Sequence, residues 1–94
     1  MLSLQQQHII KQTLNRFDPL KIGIFGSYAR NQQTINSDID ILVTFGKRVS
    51  LFDLIEMEDQ LSEQLKCDVD LITERSVHPA LKKYIEKDLQ LIHG

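Results

Sequence analysis

Three short strand-like segments, at residues 21–25, 38–45 and 67–72, alternate with stretches whose apolar residues recur at helical spacing. That alternation restricts the chain more than any other feature. A helix with one apolar stripe and a strand with one apolar face must cover each other, so the fold class is α/β (α+β), with helices flanking a small sheet. Ninety-four residues suffice for one such domain, 1–94, and not for two.

The first helix is expected over residues 3–16. Ile10, Leu14 and Phe17 recur along one side, and Ser3 can cap its start. Pro19 disfavours helical geometry at Asp18 and ends it. The strand at 21–25 closes at Gly26-Ser27, which opens a helical turn over 27–31 and then a polar loop to Ser37. After the strand at 38–45, Gly46-Lys47-Arg48 reads as a turn. Ser50 and Asp53 have the form of a capping box. The helix behind them carries Leu51, Leu54, Ile55, Leu61 and Leu65 as its apolar stripe. In the segment 67–72, Val69 and Leu71 share one face and Asp68 and Asp70 the other. Pro79 suits the first turn of a last helix, expected to reach about residue 91 with Leu81, Tyr84, Ile85, Leu89 and Ile92 on its core side.

Composition narrows the function. Eleven basic residues against thirteen acidic ones leave a net charge of −2, which disfavours stable nucleic-acid binding through phosphate neutralisation. Aromatics make up 6% and Trp is absent, so base-stacking platforms are not expected. The lone Cys67 rules out an intrachain disulfide and reads as a small buried hydrophobe. No apolar run can span a bilayer and no leader is evident, so a cytoplasmic protein without membrane contact is expected.

The chemistry concentrates in the pattern G-S-x10-D-x-D, formed by Gly26, Ser27, Asp38 and Asp40. Alternate strand residues point the same way, with Cα atoms roughly 6.5–7 Å apart. Two carboxylates so placed repel each other unless a cation lies between them. An all-oxygen site without His or Cys suits Mg²⁺ or Mn²⁺. Gly26 lets the backbone approach a ligand, and the amides and hydroxyl at Ser27 can hold phosphate oxygens. Arg30, one turn on, can reach the same phosphates. Asp68 or Asp70, on a neighbouring strand, can complete a triad and take a proton from an attacking hydroxyl.

The block GSYARNQQTINSDIDILV, followed about 25 residues on by CDVDLI, resembles the minimal nucleotidyltransferases of the DNA polymerase β superfamily. It is most similar to the MNT-type antitoxins that pair with HEPN-domain toxins. The resemblance implies a mixed sheet with flanking helices, two Mg²⁺ ions (Mn²⁺ as the alternative), and transfer of AMP from ATP to a tyrosine hydroxyl of a cognate toxin. A hetero-oligomer with that toxin follows, with a homodimer as the alternative. Gly26 and Ser27 then match the phosphate-binding pair, Asp38 and Asp40 the metal-binding pair, and Asp70 the third carboxylate, with Asp68 the weaker candidate. Where many relatives carry Gly, this chain has Asn31, which tolerates left-handed backbone geometry. Two other functions compete. One is a non-catalytic antitoxin that masks the toxin. The other is a stand-alone transferase acting on a small hydroxyl compound, for which so short a chain offers few pocket walls.

Overall fold

The computed structural model describes residues 2–94. In chain order its elements are α1 (Leu4–Leu14), a 3-10 turn (Asn15–Phe17), β1 (Pro19–Phe25), β2 (Ile39–Phe45), α2 (Leu51–Leu65), β3 (Val69–Thr73), a second 3-10 turn (Glu74–Ser76), α3 (Pro79–Asp88) and β4 (Gln90–His93). The strands form one sheet in the order β3-β2-β1-β4. β1 is antiparallel to β2 and β4, whereas β2 and β3 run parallel, so the sheet is mixed.

Local chemistry sets the element ends. Ser3 Oγ accepts from the Gln6 amide, and the Gln6 side chain accepts from the Ser3 amide. Ser50 and Asp53 make the same reciprocal box at α2. Each box satisfies two amides that a helix start otherwise leaves unpaired. Asp18 takes a left-handed φ of 53° before Pro19 opens β1, and its carbonyl accepts from the Gly46 amide at 2.7 Å. That bond closes the far end of the β1–β2 pair.

Alternation along β2 defines two faces. Ile39, Ile41 and Val43 enter the core with Ile22, Ile24, Val69 and Leu71, where Ile10 and Leu14 of α1 and Met57 and Leu61 of α2 meet them. Asp40, Leu42 and Thr44 consequently lie on the opposite face. No helix of the described residues is long and apolar enough to cross a membrane.

The structure corrects the expected elements in four places. The last helix stops at Asp88, and residues 90–93 form β4 against β1. The cause is tertiary: Gly23 of β1 leaves room for Leu89 and Leu91, and a Cβ there would stand 2.5 Å from Leu89 Cδ1. Tyr84 and Leu81 are 74% and 57% exposed, so the face of α3 expected in the core is open. In α2 the core stripe is Leu54, Met57, Leu61 and Leu65, while Leu51 and Ile55 face outward. β1 begins at Pro19, two residues before the expected start.

Candidate functional site

The site grows from the centre of the sheet. β2 is flanked by β1 and β3, and Asp40 pairs in register with Phe25 on one side and Asp70 on the other. Register partners on adjacent strands sit ~4.8 Å apart and point to the same face, so the Asp40 and Asp70 side chains leave the sheet together. Asp38 lies one step before β2. The Ile39 amide donates to the Asp68 carbonyl at 2.9 Å, which ties the start of β2 to the start of β3. Asp38 and Asp70 are exposed, and Asp40 is half-buried.

Gly26 follows Phe25 directly and adopts φ 74°, a conformation costly for any residue with a Cβ. A methyl group at that position would run into Asp40 Oδ2. Glycine is thus what allows the bend to lie against the carboxylate. Past the bend, the Arg30 amide donates to Gly26 O at 3.1 Å and the Gln32 amide to Ser27 O at 2.9 Å. Among the described residues the amides of Ser27, Tyr28 and Ala29 donate to no group, which leaves them for an incoming acceptor. Asn31 takes φ 57°, the left-handed geometry expected of it. Thr34 and Ser37 then close the loop, with the Thr34 amide donating to Ser37 Oγ at 2.8 Å.

Burial pushes the Asp40 carboxyl up to about 6, and the charges of Asp70 and Asp38 push the same way, against the weaker pull of Arg30. The cluster therefore carries more negative charge than its surroundings balance. An all-oxygen set with excess negative charge fits a hard divalent cation. Among the described residues, no three His, Cys, Asp or Glu side chains are grouped closely enough to cage an ion. Mg²⁺ does not require such a cage, since it is commonly held by one or two carboxylates together with substrate phosphates and water.

Arg30 is turned toward α3. Its Nη1 donates to Asp88 Oδ2 at 2.8 Å and its Nε to Gln32 Oε1 at 3.2 Å. Asp88 ends a helical pattern, so no local signal marked it as a partner of the turn. The half-buried Cys67 thiol is pushed up by burial, then by Asp68 and Asp38, which keeps it protonated and inert.

A model of the nucleotidyltransferase domain family matches residues 7–92. The protein adenylyltransferase MntA of Thermococcus cleftensis is 35% identical over 94 residues, covering 95% of each chain. A crystal structure of a toxin–antitoxin pair with AMP-PNP superimposes with TM-score 0.85 at 29% identity, covering 94% of this chain and 73% of that one. The MNT antitoxin in complex with a tri-AMPylated HEPN toxin of Shewanella oneidensis matches with TM-score 0.78 at 25% identity, covering 96% of this chain and 71% of that one. With the family pattern spanning almost the whole chain and the glycine bend packed on a paired-strand carboxylate, this protein belongs to the nucleotidyltransferase domain family.

Proposed function

We propose that the protein is a cytoplasmic antitoxin that transfers AMP from ATP to a tyrosine hydroxyl of a HEPN toxin, with which it forms a complex. The observation that carries the reading is the in-register Asp40–Asp70 pair beside the Gly26 bend. The likeness to an adenylyltransferase over 95% of each chain, and to most of a chain in complexes holding AMP-PNP or an AMPylated toxin, supports the nucleotide and the acceptor.

Each residue has a part. The free amides after Gly26 and the Ser27 hydroxyl would hold the β- and γ-phosphates, and Arg30 can turn from Asp88 to join them. Asp38 and Asp40 would hold divalent cations, and Asp70 would share them. When bound, Mg²⁺ supplies charge stabilisation at the α-phosphate and the leaving pyrophosphate. Asp70 lies on the outer strand and is exposed, so an acceptor hydroxyl arriving from solvent can reach its carboxylate. Asp70 would draw off the hydroxyl proton as the tyrosine oxygen bonds to the α-phosphorus and the α–β bridging bond breaks.

The test is labelling of the toxin from ATP radiolabelled at the α-phosphate. Asp38→Asn and Asp40→Asn should each lower labelling at least ~10²-fold while leaving the circular-dichroism spectrum unchanged. Toxin neutralised yet unlabelled by the double variant would instead establish masking. Full labelling by either single variant would remove these carboxylates from the chemistry.

A further inference from the structure

A second recess lies at the other end of the sheet, where β2 runs into the loop before α2 and β3 runs into its 3-10 turn. It is a cleft of about 730 Å³, half-open to solvent. Phe45, Val49 and Leu54 supply apolar wall, and Lys47, Arg48 and Arg75 supply positive charge. Along β2 its lining starts at Val43, three residues or ~10 Å from Asp40, and reaches Phe45, five residues or ~17 Å away.

The charge there is unbalanced in the opposite sense to the carboxylate end. Lys47, Arg48 and Arg75 join no ion pair among the described residues. Glu74, which also lines the cleft, is already occupied. Its carboxylate accepts from Thr44 Oγ1 at 2.6 Å and pairs with Lys21 Nζ at 3.4 Å and Lys82 Nζ at 3.5 Å. Asp18 lies behind Gly46, where a Cβ would stand 2.5 Å from Asp18 Oδ2. Three unpaired cations thus line the cleft beside one carboxylate that is already engaged, in a chain whose net charge is −2. Unpaired cations over apolar wall select a ligand with carboxylates and aliphatic or aromatic side chains in one stretch. A half-open cleft also suits a peptide segment better than an enclosed small molecule.

We propose that this cleft docks an acidic, apolar-flanked segment of the protein that receives AMP. The inference rests on the protein-acceptor reading above. It gives the transferase a hold on its substrate remote from the reacting atoms. Binding energy from such a contact lowers KM for the acceptor and leaves the chemical step unchanged.

The test has two arms. In the first, fluorescence anisotropy at low ionic strength follows a fluorescein-labelled hexapeptide of glutamate and leucine. Arg48→Glu/Arg75→Glu should weaken peptide binding at least ~10-fold, Arg48→Gln/Arg75→Gln less so, and Arg16→Glu, outside the cleft, not at all. In the second, labelling of the HEPN toxin should show KM for toxin raised by a similar factor in the Arg48→Glu/Arg75→Glu variant, with kcat retained. Unchanged peptide affinity in that variant overturns the proposal. So does tighter binding of inorganic tripolyphosphate than of peptide, which would mark a small-anion site. If the parent chain fails to label the toxin, the adenylylation reading falls, while the peptide arm still decides the cleft.

Discussion

Asp40 carries the conflict on which the site is built. Its carboxyl titrates near 6, against 3.8 for an unperturbed one, chiefly through burial. A carboxyl whose folded value is raised binds its proton more tightly in the folded state. Its contribution to stability is therefore greatest below the unfolded value and is lost as pH rises through 6. In the metal-free chain, Asp40→Asn should raise the melting temperature at about pH 7.5 and change it little at about pH 4. After discounting for partial exposure, the gain is about 1 kcal/mol, or ~4–8 °C. Calorimetry at the two pH values checks this, and an equal shift at both would show that the charge is not the burden. Gly26 makes the opposite prediction. Gly26→Ala adds left-handed strain and a clash with Asp40 Oδ2, so it should cost ~1–3 kcal/mol in urea denaturation and abolish labelling with Asp40 displaced.

At the scale of elements, sequence legibility tracked how local the cause was. The Ser50–Asp53 capping box and the Ser3 cap were readable because donor and acceptor lie three residues apart, although the returning bond from Gln6 was found only in the structure. For the same reason Ser50→Ala should lower stability by about 1 kcal/mol in thermal melts without changing nucleotide transfer, since α2 starts far from Asp40. β4 was not readable. Leu89 and Ile92 continue a plausible helical stripe, and what makes Gln90–His93 a strand is the space above Gly23 that Leu89 and Leu91 fill. Gly23→Val should fill that space and loosen β4, costing ~1–3 kcal/mol and exposing the Gln90–His93 amides to hydrogen exchange. Slow exchange retained there would show that β4 is held by something else. The phase of α2 was misread for a related reason: Leu51 and Ile55 fit the stripe by spacing, but the core lies around Met57 and Leu61.

Across the whole molecule the acidic pattern was legible because Asp38 and Asp40 stand at the start of β2 and the next strand places Asp70 in register with Asp40. The tie between Arg30 and Asp88 was not, because it joins residues 58 apart. That tie couples the end of α3 to the turn that would bind phosphate, so Arg30 has two competing partners. Both side chains are partly exposed, 45% and 25%, and the pair by itself stabilises the fold by no more than ~1 kcal/mol. Its effect on nucleotide binding should be larger and should separate the two roles. Asp88→Asn releases Arg30 and removes a negative charge, so KM for ATP should fall or stay level. Arg30→Ala removes the cation itself, so KM for ATP should rise ~10-fold or more. In the double variant the loss should equal that of Arg30→Ala alone, because Asp88 acts on the nucleotide only by holding the guanidinium away. Steady-state kinetics on the four chains of this cycle measure the coupling directly. A rise in KM on Asp88→Asn that persists without Arg30 would mean that Asp88 supports the site through α3 and β4, and that the guanidinium is a bystander.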